Sequence, residues 1–153
     1  EEIFKRDNDN DNQKPNLIPS LKTEIIITVG YPGSGKSTLI NNVFGNNNKY
    51  VILSGDILKT SKRMIKIAEP LLQNNKSIIF DATNGTIAKR SEYIKLAKKY
   101  KVPVRCIHVS TSFEDSLYRN NQRTNIVPKI VYYVYRKNFE IPTKKEGMEV
   151  ITI

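Results

Sequence analysis

A nine-residue stretch, Gly30-Tyr-Pro-Gly-Ser-Gly-Lys36-Ser37-Thr38, constrains this chain more than any other part of it. It matches the G-x-x-x-x-G-K-[ST] pattern of a phosphate-binding loop at every specified position. It also stands between the β-branched run Glu24 to Val29 and a short helical pattern, Ser37 to Phe44, that stops at Gly45. That is the strand, loop and helix order the pattern requires. Gly30, Gly33 and Gly35, with Ser34 between the last two, let the backbone turn its amides inward around anionic oxygens. Lys36 adds a mobile cation for β and γ phosphates, and the Ser37 hydroxyl is placed as a Mg²⁺ ligand, with Thr38 following in the first helical turn. The helix N-terminus contributes its dipole. A glycine turn that merely joined strand to helix would need neither Lys36 nor Ser37, so a nucleotide phosphate site is expected here.

Downstream, short apolar runs alternate with longer helical ones. Strands are expected at Tyr50 to Ser54, Ser77 to Asp81, Val104 to Val109 and Glu149 to Ile153. Helices are expected at Thr60 to Asn74, kinked or divided by Pro70, at Thr86 to Tyr100 with apolar Ile87, Ile94 and Leu96 among lysines, at Phe113 to Gln122 and at Lys129 to Phe139. Continuous apolar strands separated by helices imply an α/β domain whose parallel sheet of about five strands is covered on both faces. In such sheets ligands gather at the carboxyl ends of the strands. Residues 1–22 read differently: DNDNDNQKPN is polar and repetitive, and Pro15 and Pro19 favour extended backbone, so a flexible linker before a domain at 23–153 is expected.

Composition excludes more than it assigns. No apolar run reaches the roughly 18 to 20 residues of a membrane span, and the N-terminal stretch lacks the apolar centre of a signal peptide, so an intracellular chain is expected. One cysteine, Cys106, permits no internal disulfide, and one histidine, His108, leaves no zinc cluster; both read as buried strand positions. The formal charge is +10, and it is uneven: residues 1–24 hold six acids and four bases, leaving 21 bases and nine acids for the remainder. An acidic partner would therefore meet the body of the domain.

Two aspartates and two arginines complete the candidate site. Asp56 follows the second strand in LSGD and Asp81 closes the third in SIIFD, so both belong at the sheet edge that carries the phosphate loop. Asp81 fits a carboxylate holding the Mg²⁺ hydration shell, with a turn cap as the other reading. Asp56 fits either a helix N-cap or a general base for an attacking hydroxyl. Arg119 and Arg123, at i and i+4, share a helix face and fit the arginine-bearing lid of small kinases as well as ordinary surface decoration. No N-K-x-D guanine-reading motif is present.

GYPGSGKST, the D-x-L of GDILKT, DATN at Asp81 to Asn84, the asparagine pair of YRNNQR and the late VYYVYRKNFEIPTKKEG together resemble the kinase domain of the bifunctional polynucleotide 3′-phosphatase/5′-kinase family. The resemblance runs in order from Asn16 to the C-terminus, and EEIF at the start resembles the end of that family's phosphatase domain. It implies a P-loop kinase-type three-layer fold and transfer of the ATP γ-phosphate, with Mg²⁺, to the 5′-hydroxyl end of DNA or RNA, in DNA end repair, with a phosphatase domain upstream in the full-length protein. Carried onto matching positions, Lys36 and Ser37 act on phosphates and metal, Asp81 on the metal, and Asp56 as general base. Arg63, Thr83 and the adjoining Asn84 lie where the family meets the acceptor strand, and Arg119 and Arg123 where it places lid arginines. Two departures stand out. The segment between Arg123 and Pro128 is several residues shorter, and Gly55 replaces the arginine that usually precedes the aspartate, leaving Lys59 or Lys62 to substitute. The competing expectation is a small-metabolite or nucleoside kinase of similar architecture.

Overall fold

The computed structural model describes residues 17–153, over which five strands alternate with six helices. In chain order these are β1 (Ile25–Val29), α1 (Lys36–Phe44), β2 (Tyr50–Ser54), α2 (Gly55–Leu58), α3 (Ser61–Gln73), β3 (Ser77–Asp81), α4 (Ile87–Tyr100), β4 (Val104–His108), α5 (Phe113–Asn121), α6 (Lys129–Asn138) and β5 (Glu149–Thr152). A 3₁₀ turn at Lys144–Glu146 precedes the last strand. The strands form one sheet in the order β2-β3-β1-β4-β5, and every neighbouring pair is parallel. The α/β class and five-stranded parallel sheet expected from the sequence are what the chain forms.

β1 is the centre of this sheet because it is the most apolar strand, and all five of its residues are buried. Its alternation splits the core. Ile25, Ile27 and Val29 face a cluster with Met64, Ala68 and Leu72 of α3 and Tyr93, Ile94 and Ala97 of α4, while Ile26 faces Ile40 and Phe44 of α1. Helices therefore cover both faces, as a parallel sheet demands.

Hydroxyl caps set the helix boundaries. The side chains of Thr60, Thr86 and Ser112 accept from the backbone N–H groups of Arg63, Lys89 and Asp115, so these residues stand just outside helices α3, α4 and α5. The expected division of α3 at Pro70 does not occur. Pro70 is exposed and lies in the last turn, where the lost bond involves the exposed Lys66, so the helix runs on to Gln73. Ile87, at the start of α4, is 44% exposed, and the helix turns Arg90, Tyr93 and Ile94 to the core. Cys106 is fully buried, but His108, at the end of β4, is only half-buried. The short α2 was not expected; four residues carry too little periodicity to register as a helix.

Of the expected linker, residues 1–16 lie outside the described residues. The segment that follows is tied to the sheet. Leu17 packs beside Phe44 and Tyr50, the Ser20 N–H donates to the Tyr50 hydroxyl at 2.7 Å, and Arg105 Nη2 donates to the Ile18 carbonyl at 3.0 Å. No helix among the described residues is long and apolar enough to cross a membrane.

Candidate active site

The sheet order reverses direction at β1: the chain goes from β1 to β2 and β3 on one side, then to β4 and β5 on the other. A crevice forms at such a point, beyond the strands' carboxyl ends. The phosphate loop leaves β1 there. Gly33 (φ 74°) and Gly35 (φ 99°) adopt left-handed backbone, and a Cβ on Gly35 would stand 3.0 Å from Arg119 Nη1. A side chain at either glycine would strain the loop and crowd what holds it. Lys36 Nζ lies inside the loop and donates to the carbonyls of Gly30 at 2.9 Å and Tyr31 at 2.6 Å, with the Ser34 hydroxyl at 3.4 Å. Burial pushes the Lys36 ammonium down to about 8, against the upward pull of Asp81 and Asp56. The loop thus stores its cation in a nearly dry site next to where phosphates are expected.

Asp81 ends β3, paired in register with Ser54 at the end of β2. It is buried, and its two oxygens are divided: Oδ1 accepts from the Thr28 hydroxyl at 3.0 Å and Oδ2 from the Ser37 hydroxyl at 2.7 Å. Ser37 and Asp81 thus converge, although 44 residues separate them. They offer one hydroxyl and one carboxylate, hard oxygen donors that fit Mg²⁺, a cation that keeps several waters and takes phosphate oxygens for the rest. Among the described residues no cluster of three or more His, Cys, Asp or Glu forms a closed metal cage, so the donor set suits a metal arriving with a nucleotide.

A cleft of about 440 Å³ opens over the loop; Lys36, Ser37, Thr38, Asp56, Asp81 and Thr83 line it, together with Arg119 and Arg123. Arg119 Nη1 donates to the Ser34 carbonyl at 3.1 Å, and Arg123 Nη2 stands 3.9 Å from Asp56 Oδ2. Asp56 is 87% exposed, so this pair is loose, and both groups stay available to a ligand. Asp56 is not an N-cap: Ser54 occupies that position of α2, and Asp56 lies in its first turn. A second cleft of about 250 Å³ adjoins the first and shares Asp56, Ala82 and Thr83 with it. Asp56 therefore stands on the border between a chamber built for phosphates and a neighbouring one.

The other expected contacts divide. Thr83 lines both clefts, and its carbonyl accepts from the Gly30 N–H at 3.2 Å, tying the two loops together. Asn84 borders the second cleft, but its amide donates to the carbonyls of Thr28 at 2.9 Å and Phe80 at 3.2 Å, which staples β1 to β3. Arg63 and Lys62 stand exposed on the first turn of α3 and line neither cleft, whereas Lys59 lines the second.

Sequence reasoning missed the support behind the loop. The Tyr132 hydroxyl of α6 donates to the Pro32 carbonyl, and its ring lies parallel to that of Tyr31 at 5.9 Å. The ring of Tyr135 meets Tyr31 at 4.5 Å. Arg90, fully buried, donates to both oxygens of Glu146 and to the carbonyls of Asn84 and Glu140. The late VYYVYRKNFEIPTKKEG stretch is thus a buttress for the loops at residues 30–35 and 82–86. The spacing Tyr132, Tyr135, Phe139 was the available signal, one inward stripe at helical intervals.

A parallel sheet in this order, a phosphate loop after its central strand, a carboxylate at the end of the adjacent strand and arginines lining the same cleft together define a P-loop kinase domain, a fold whose loop binds ATP. Residues 25–142 match the AAA domain family, and the chain belongs to that family. It is 37% identical over 131 residues to the bifunctional polynucleotide phosphatase/kinase of Schizosaccharomyces pombe, covering 81% of this chain and 31% of that protein. It is 36% identical over 138 residues to a putative bifunctional polynucleotide phosphatase/kinase of Acanthamoeba polyphaga mimivirus, covering 85% and 32% respectively. The chain spans about a third of the length of these relatives. Among solved structures, a fungal RNA kinase superposes with a TM-score of 0.69 at 13% identity, over 88% of this chain and 38% of that one.

Proposed function

We propose that this domain transfers the γ-phosphoryl group of ATP to the 5′-hydroxyl end of a polynucleotide. The observation that carries the reading is the position of Asp56, on the border of two adjoining clefts, one holding the phosphate loop and the other lined by lysines. The relatives' names, which pair a polynucleotide phosphatase with a kinase, support the same acceptor class and a phosphatase domain in the full-length protein; DNA end processing is the setting proposed for it.

In the proposed reaction the acceptor enters the second cleft with its 5′-hydroxyl against Asp56. The carboxylate takes the hydroxyl proton as the oxygen bonds to the γ-phosphorus, and the bond to the β-phosphate oxygen breaks to release ADP. Lys36 holds the β and γ oxygens, while Arg119 and Arg123 face the charge that spreads over the transferring group. Mg²⁺, held by Ser37 and by Asp81 through the hydration shell, would neutralise phosphate charge.

The test is transfer of labelled phosphate from ATP to 5′-hydroxyl DNA and RNA oligonucleotides, beside a sugar and a nucleoside. Labelled oligonucleotide is the expected product; phosphorylation of the small acceptors alone would replace this reading with that of a metabolite kinase. Asp56→Asn should keep ATP affinity and lower turnover by about 10² to 10⁴. Unchanged turnover in this variant would remove Asp56 from the chemistry.

A further inference from the structure

We infer that Lys89, in the first turn of α4, is a phosphate contact for the acceptor strand on the 3′ side of its reacting end, acting across the second cleft from Lys59. The inference rests on the polynucleotide reading above and deepens it. Both lysines line that cleft and are exposed on its rim, while Met64 and Tyr93 lie among its other walls. Among the described residues no carboxylate comes within 4.0 Å of either ammonium. Lys59 and Lys89 bring two positive charges to a chamber whose lining holds one carboxylate, Asp56, so a polyanion entering it meets a net attraction.

Residue 55 cannot supply this contact in the present backbone. A Cβ on Gly55 would come within 2.8 Å of the Ala82 Cβ, so β3's exit would have to move before any long side chain could stand there. The cation must come from another element, and two are placed to bring it. Lys59 ends α2 at φ 73° and ψ −36°, a tight turn unusual for lysine, closed by the Thr60 N–H donating to the Leu58 carbonyl at 2.9 Å, and it lines the cleft. Lys89 lines the same chamber from α4, its backbone N–H fixed to the Thr86 hydroxyl at 3.3 Å. A strand with its 5′-hydroxyl at Asp56 and its next phosphates beside these lysines fits the chamber's charge; a neutral nucleoside gains nothing from them.

The experiment compares wild type with Lys89→Ala, Lys59→Gly, which accepts the positive φ, and Lys98→Ala as an exposed control outside the clefts. Acceptors are a 5′-hydroxyl oligonucleotide and the same strand carrying an uncharged methylphosphonate at its first or second linkage. Lys89→Ala should raise the oligonucleotide KM about tenfold with kcat and the KM for ATP unchanged. It should also reduce the salt slope by about 0.7, the loss of one phosphate contact on a single strand. A methylphosphonate at the contacted linkage should abolish the difference between wild type and Lys89→Ala. An active wild type whose KM, salt slope and methylphosphonate response are unaltered in Lys89→Ala would overturn this inference alone. A wild type that phosphorylates no oligonucleotide would overturn it together with the function on which it rests.

Discussion

Lys36 illustrates how a single residue can serve a ligand at the expense of the free fold. Its ammonium is held among backbone carbonyls with little water, and burial lowers its proton affinity, leaving it at about 8 against the usual 10.5. Between those values the unfolded chain binds a proton that the native protein does not. Stability therefore rises with pH across that window, and below about 8 the buried charge costs the fold its desolvation. Thermal melts from pH 7 to 10 should show the midpoint of Lys36→Met gaining on that of wild type at the acid end, with the gap narrowing above about 8. A pH-independent gap would mean that Lys36 is not titrating there. The same titration predicts that kcat/KM for ATP falls above about 8 as free protein loses its cation, measured by steady-state rates at saturating acceptor. Much of this scale was legible in the sequence, because Gly33, Gly35, Lys36 and Ser37 belong to a contiguous motif whose chemistry follows from backbone geometry. The pairing of Ser37 with Asp81 needed only the rule that both stand at one sheet edge. Lys89 was not legible, since an exposed lysine on a lysine-rich helix carries no local mark of the cleft it borders.

Among the elements, α6 matters most. Tyr132 sits behind the loop with its hydroxyl on the Pro32 carbonyl and its ring beside Tyr31. Arg136 stacks over Phe113 at 4.1 Å and thereby joins α6 to α5, the helix that carries Arg119. The phosphate loop and Arg119 thus share one support. Tyr132→Phe keeps the aromatic packing but removes the hydrogen bond to a part-buried carbonyl, at a cost of about 0.5–1.5 kcal/mol. A calorimetric midpoint lower by roughly 1–6 °C is expected, together with a raised KM for ATP, whereas kcat should change much less. An unaltered KM would confine Tyr132 to the core. Helix edges were readable because Thr60, Thr86 and Ser112 announce themselves as caps. α2 was not, and neither was the continuity of α3 through Pro70, which depends on which side of the helix meets water.

For the whole molecule, the salient polar feature is the Arg90 centre. Arg90 joins α4, the loop after β3, the segment after α6 and the 3₁₀ turn through bonds of 2.8–3.1 Å. Removing one partner of such a buried pair leaves the other charge uncompensated, so Arg90→Met should destabilise the domain by about 3–5 kcal/mol. Combining it with Glu146→Met should recover part of the loss, which urea unfolding of both variants can measure. The net charge fits this picture, because the buried Arg90 and the half-buried Arg105 are paired with Glu146 and Glu24, Lys36 is held in the phosphate loop, and most of the other bases are exposed. The charge total was legible in the sequence. Its division between internal pairs and the two lysines facing the second cleft was not, because each pair joins residues more than fifty positions apart.

The position of β1 also bears on how the protein is made. The strand is complete at Val29, yet its two partners end at Asp81 and His108, so the edge that β4 pairs waits for 79 further residues. At roughly 5–20 residues per second, a ribosome leaves that edge open for about 4–16 s. The Ile-rich central strand is therefore exposed to aggregation during synthesis, and a nascent chain halted between β3 and β4 would carry one side of it uncovered.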